Sequence, residues 1–250
     1  MTTPPERSRW IRNFRPAPEA GKRLVCFPHA GGSASYYFPM ATALSPEFDV
    51  YAVQYPGRQD RHSEPFVESI AELADQVVAE LEPVLDAPVA LFGHSMGAVL
   101  AFEVAHRLEA RGGRRPAVVF ASGSRAPSRY GDEQDHKNDT DLIQVMRDLG
   151  GTDPRVLNNP DMLATFLPAF RNDYRALQVY RQAPTVAIGA PIVVLTATDD
   201  PKTSLADARA WHEHTAGGGD VHTFTGGHFF LEKQPQRVIE VVTEALRATG

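Results

Sequence analysis

"LFGHSMGA", residues 91–98, sets one serine between two glycines. A short apolar run, "PVALF" (88–92), precedes it, and "GAVLAFEVAHRLEARGG" (97–113) follows. The first is apolar at consecutive positions, as a strand covered on both faces should be. The second is apolar along one side and ends in paired glycines, a helix-stop signal. Gly93-His94-Ser95-Met96-Gly97 therefore falls on a strand-to-helix corner, the context that a G-x-S-x-G nucleophile elbow requires. Such a corner strains the serine backbone and lifts its hydroxyl above the sheet edge. It also sets that hydroxyl by a helix N-terminus, where negative charge is favoured. Side chains at the flanking glycines would strike neighbouring backbone. A plain glycine turn would use the same letters, so the reading depends on finding a base, an acid and an oxyanion site elsewhere.

The same strand signature recurs along the chain. "RLVCF" (23–27), "DVYAV" (49–53), "PAVVFAS" (116–122), "PIVVLTA" (191–197) and "DVHTF" (220–224) are short and rich in β-formers. Helical patterns lie between them, at 67–85 with Ile70, Leu73, Val77 and Leu81 in step, and again at 236–248. Alternating strands and helices predict an α/β fold, a mainly parallel sheet covered by helices on both faces. One stretch breaks the alternation. From about 125 to 188 there are helical patterns, at 141–151 and 161–182, but no strand. Asn159–Pro160 marks a break there, and Pro168 is a possible kink. The insertion is long for a crossover and reads as a lid over the strand ends, two ordinary crossover helices being the alternative. "SRYGDEQDHKND" (128–139) within it is polar and expected to be mobile. The whole chain, 1–250, is expected to form a single domain.

Composition narrows the class. The 250 residues are 42% hydrophobic with a net charge of −6, and no basic block occurs, which argues against nucleic acid or an anionic membrane as partner. The single cysteine, Cys26, lies in an apolar strand pattern and reads as a buried hydrophobe. The N-terminus has no apolar core of a secretory signal, and no apolar run is long enough to span a bilayer, so a soluble cytoplasmic protein is expected. No metal or cofactor is expected either, since neither a ligand cluster nor a phosphate-cradling glycine motif is apparent.

Nine histidines compete for the role of base. His94 adjoins Ser95 on the turn, where neighbouring side chains diverge. His62, His106 and His136 sit on polar loops or helix faces. His212 and His214 lie beside Trp211 without a suitable acid, and His222 alternates within a strand. His228 differs: it follows a strand, in "TGGHFFL", behind Gly226–Gly227. The acid must lie between Ser95 and His228 in the order Ser, acid, His. Asp199–Asp200 end the strand at 191–197, in a loop that should gather at the same sheet edge. Asp200 is preferred and Asp199 held in reserve. Asp207 and Asp220 are less well placed. For the oxyanion, one donor is the amide after the nucleophile, Met96. The other should come from a glycine-bearing loop after an early strand, and "CFPHAGGSASYYF" (26–38) offers Ala30.

Taken together, "FPHAGGSASYYF", "VQYPGRQDR", "FGHSMGA", "DDP" and "GGHFFL" closely resemble, in that order, the type II thioesterases that accompany polyketide and nonribosomal peptide synthases. The resemblance runs from about residue 9 to the last helix. It implies an α/β-hydrolase fold with a helical lid, and hydrolysis of acyl thioesters from the phosphopantetheine arm of acyl or peptidyl carrier proteins, clearing aberrant units. By position it places the triad on Ser95, Asp200 and His228 and the oxyanion amides on Ala30 and Met96. This chain has Ala197 where the family often has glycine before the acid, a difference that bears on the choice between the two aspartates.

The spacing of Met162, Leu163, Phe166, Leu167, Phe170, Tyr174 and Leu177 puts most of them on one helical face in the insertion. They either pack on the core or line an acyl channel. Arg125, Arg129, Arg171, Arg175 and Arg181 could meet an acidic carrier protein. A monomer is expected. The rival functions are a carboxylesterase or lipase with the same triad, and a non-catalytic carrier-binding module.

Overall fold

The structure, a computed structural model, describes residues 8–112, 114–131 and 138–249. Among these, seven strands form one sheet in the order β1-β3-β2-β4-β5-β6-β7. They are β1 (Ile11–Asn13), β2 (Arg23–Phe27), β3 (Asp49–Val53), β4 (Val89–His94), β5 (Val119–Ser122), β6 (Ile192–Ala197) and β7 (Val221–Phe224). Strands β2 to β7 are parallel, and β1 pairs antiparallel at the edge, Ile11 opposite Val53. All six expected strands are present. β1 was not expected: three residues, "IRN", carry neither an apolar run nor a usable alternation.

The reason the central strands read as unbroken apolar runs is visible in their packing. Leu24 and Cys26 of β2, with Ala90 and Phe92 of β4, face one core. Val25 and Phe27, with Val89 and Leu91, face the other. Successive side chains point to opposite faces, and here both faces are covered. Helix α1 (Phe38–Leu44) packs on the first face against the C-terminal helix. Helices α2 (Ile70–Leu81) and α3 (Met96–Ala110) pack together on the second. Ser69 caps α2 by accepting the Glu72 N–H. α3 ends at Ala110, short of the glycine pair; Gly113 lies outside the described residues.

Between β5 and β6 come α4 (Asp139–Leu149), α5 (Pro154–Leu157) and α6 (Pro160–Val179), and no strand occurs among the described residues of that stretch. Asn159 accepts the N–H groups of Asp161 and Met162 and so starts α6. The helix then runs on through Pro168 without interruption. Of the polar segment 128–139, residues 132–137, with His136 among them, lie outside the described residues. The chain closes with α7 (Leu205–Arg209), α8 (Phe230–Lys233) and α9 (Pro235–Ala248). No helix among the described residues is long and apolar enough to cross a membrane.

Candidate active site

Ser95 has φ 56° and ψ −120°, a conformation that non-glycine residues adopt only under strain. The corner is held by its own backbone, the Ser95 N–H donating to the Ser122 carbonyl at 2.8 Å. A Cβ on Gly93 would stand 2.0 Å from the Gly97 carbonyl oxygen, and one on Gly97 would stand 1.9 Å from the Phe27 carbonyl oxygen. Glycine at both positions lets β4 turn into α3 while the start of α3 lies directly on the end of β2. That contact sets Phe27 and Pro28, at the end of β2 and the start of the loop that carries Ala30, against the first turn of α3, which carries the Met96 amide.

The loop itself is anchored by side chains that take up its backbone groups. Tyr37 Oη donates to the Phe27 carbonyl at 2.8 Å and Tyr55 Oη to the Pro28 carbonyl at 3.1 Å. The Ala34 N–H donates to Gln54 Oε1 at 2.9 Å. Gly32 N–H closes a turn onto the His29 carbonyl at 2.9 Å, leaving Ala30 and Gly31 as its two central residues.

His228 and Asp200 meet at the ends of β7 and β6. His228 Nδ1 lies 2.8 Å from Asp200 Oδ2, with both side chains buried, and the other carboxylate oxygen accepts the Lys202 N–H at 2.8 Å. His228 Nε2 is buried and has no hydrogen-bond partner among the described residues. Ser95 and His228 line one cavity together with Ala30, while Met96 is buried at the first turn of α3. Asp199, next in sequence to Asp200, is exposed and accepts from Thr198 Oγ1. Asp207 caps α7 with Ser204, and Asp220 is exposed. Ala197 ends β6 as a regular buried strand residue, and the carboxyl of Asp200 still reaches the imidazole.

Among the described histidines, His62, His94, His106 and His214 have partners of their own outside the His228–Asp200 pair. His94 is buried, with Nδ1 3.0 Å from Ser122 Oγ. His62 is exposed against the Gln59 carbonyl, and His106 stacks on Phe102. His214 sits in a buried turn between the Val186 carbonyl and Ser128 Oγ. His29 carried no signal beyond its neighbouring glycines, yet it lines the cavity edge-on to Tyr36 and Phe229. Burial, helped by His228 and Arg58, lowers its pKa to about 3, and burial pushes His94 well below the usual imidazole range. Both are neutral at physiological pH. The same burial raises the Cys26 thiol far above its ordinary value.

The apolar part of the cavity wall comes largely from the insertion, while Ser124, Arg125, Thr152, Lys202 and Thr203 add polar groups. Met146 and Leu149 of α4 and Phe166, Phe170, Tyr174 and Leu177 of α6 line it. The expected apolar face of α6 thus serves both purposes: Leu167 is core, Phe170, Tyr174 and Leu177 belong to core and cavity alike, and Met162 is exposed. Of the five arginines, only Arg125 lines the cavity. Arg129 pairs with Glu213, Arg171 with Asp139, and Arg181 donates to the Gln178, Tyr180 and Gly131 carbonyls.

A family model described as "Thioesterase domain" matches residues 22–246. The chain belongs to the thioesterase family. Its relatives include "Thioesterase PikA5" of Streptomyces venezuelae, 43% identical over 96% of this chain and 86% of that one. The "Probable cadicidin biosynthesis thioesterase" of Streptomyces griseus is 45% identical over 96% of this chain, which spans 66% of that relative's length. Among solved structures, the type II thioesterase BorB from the borrelidin biosynthetic cluster superposes with a TM-score of 0.88 at 45% identity, covering 95% of this chain and 97% of that one. This thioesterase is therefore a hydrolase of the type II group found with polyketide and nonribosomal peptide synthases, as its sequence resemblance implied, on an α/β-hydrolase fold.

Proposed function

We propose that this thioesterase releases acyl groups from the phosphopantetheine arm of carrier proteins through Ser95, His228 and Asp200. The observation that carries the reading is the buried His228–Asp200 pair with Nε2 left open, in a cavity that Ser95 also lines. With its Nδ1–H held by the carboxylate, the imidazole keeps a lone pair on Nε2. Nε2 takes the Ser95 proton as Oγ attacks the thioester carbonyl carbon. The amides of Ala30 and Met96 hold the oxyanion. The C–S bond breaks, the proton passes from Nε2 to the departing sulfur, and the pantetheine thiol leaves. Water, deprotonated by the same nitrogen, then attacks the acyl-serine and frees the carboxylic acid and Ser95.

The insertion at about 125–188 serves as a lid within one domain spanning the chain, and its apolar lining receives the acyl group. Every group in this scheme comes from a single chain, which suits a monomer. The test is release of radiolabelled acyl groups from loaded carrier protein, measured beside a matched oxygen ester. Wild type should favour the carrier thioester, and Ser95→Ala should lose activity by several orders of magnitude. A preference for the oxygen ester would make this a carboxylesterase; full activity in Ser95→Ala would remove Ser95 from the reaction.

A further inference from the structure

Arg58 and Asp173 form an ion pair that the triad does not use. Arg58 lies on the loop after β3 and Asp173 on α6, 115 positions apart in sequence, and both are buried, at 7% and 2% exposure. The contact is bidentate, with Nη1 2.6 Å from Oδ2 and Nη2 3.0 Å from Oδ1. The same Oδ2 accepts the N–H of Gly31 at 2.8 Å, while Arg58 Nη1 also lies 3.4 Å from the Gly32 carbonyl.

Gly31 N–H belongs to the central peptide of the turn closed by the Gly32–His29 bond. Gly31 has φ +72°, which gives that peptide the orientation of a type II turn. A flip of the peptide would direct the Ala30 carbonyl, in place of an N–H, toward a buried carboxylate. The insertion presses on the same residue by packing: a Cβ on Gly31 would lie 3.1 Å from the Phe166 ring and 3.2 Å from Phe170 Cβ. One helix of the insertion thus fixes, by a charged hydrogen bond and by contact, the peptide next to the Ala30 amide.

We infer that the Arg58–Asp173 pair is a positioning device, tying the oxyanion loop to α6 so that the Ala30 N–H is correctly aimed only with the insertion seated. The inference rests on Ala30 being an oxyanion donor, as proposed above. Mere stability does not call for such a pair, since an apolar replacement of a buried ion pair is often neutral or stabilising. An acceptor aimed at a backbone N–H of the oxyanion loop has a more specific use.

The test compares wild type with the apolar double variant Arg58→Met/Asp173→Leu and with Asp173→Asn. Four quantities are read: kcat and KM on an acyl-pantetheine thioester, inhibition by the matching trifluoromethyl ketone, inhibition by the matching alkyl thioether, and the thermal midpoint. The ketone forms an oxyanion on adding to the serine; the thioether fills the same pocket and forms none. The double variant should lose about 10²-fold in kcat and a similar factor in ketone affinity, with KM and thioether affinity within about threefold. Asp173→Asn keeps a carbonyl for Gly31 and should lose about tenfold in the same two quantities.

Unchanged kcat and ketone affinity in either folded variant would overturn the inference, and so would parallel losses in ketone and thioether affinity. Should the double variant not fold, Asp173→Asn assayed below its own midpoint distinguishes the same outcomes. Labelling of wild-type Ser95 by a fluorophosphonate separates the two levels. No label means that the proposed site is wrong, whereas a labelled serine with indifferent variants rejects this pair alone.

Discussion

Gly97 and Asp200 show how single residues carry the site. At Gly97 a β-carbon would stand 1.9 Å from the Phe27 carbonyl oxygen, so Gly97→Ala must push α3 off β2. The expected result is a loss of stability of about 2 kcal/mol or more, read as a lowered thermal midpoint, together with loss of activity. Asp200→Asn should keep the fold but no longer fix the working tautomer of His228, lowering kcat by about 10⁴-fold, while Asp199→Asn should stay within a few fold of wild type. Equal effects of the two in a steady-state assay would reopen the choice of acid. Sequence spacing could not separate these neighbours; only the direction of each side chain does, Asp200 inward to His228 and Asp199 to Thr198. Ser95 and His228 were legible because each needs a distinctive glycine context. His29, Arg58 and Asp173 were not, because burial of a polar group leaves no mark in a single sequence.

At the scale of the element, the six parallel strands were legible because two covered faces demand continuous apolar runs. β1 escaped, being three residues long with Arg12 at its centre. The short helix α1 escaped because it spans only seven residues, too few to display a helical period. An interior proline removes one backbone hydrogen bond, yet α6 continues past Pro168, flanked by buried Leu167 and Ala169. The insertion's length pointed to a cover over the strand ends, but which of its residues face the cavity needed coordinates. Leu149 is half-buried at the cavity wall on α4. Leu149→Ala should therefore raise kcat/KM for longer acyl chains relative to short ones, measured on a chain-length series of acyl-pantetheine thioesters. An unchanged ratio would place the acyl group elsewhere.

For the whole molecule, stability should depend on pH through two neutral histidines, His29 at the cavity and His94 beside Ser95. His29 and His94 resist protonation when folded, His29 down to about pH 3, whereas free histidine titrates near 6.5. Below pH 6.5 the unfolded chain binds protons that the native state refuses. Stability is therefore fullest above that pH and falls toward pH 3, by up to about 1.4 kcal/mol per pH unit for each group. Denaturant unfolding between pH 7 and 5 should show this slope, and His94→Gln should flatten it by as much as one proton; an identical slope in the variant would contradict the assignment.

The central claim is that thioester hydrolysis passes through an acyl group on Ser95, and rapid acid quenching followed by mass spectrometry tests it most directly. With acyl-pantetheine thioester as substrate, the peptide bearing Ser95 should gain the mass of the acyl group within one turnover and lose it as carboxylic acid appears. Turnover with that peptide unmodified throughout, or with the acyl group on another residue, would contradict it.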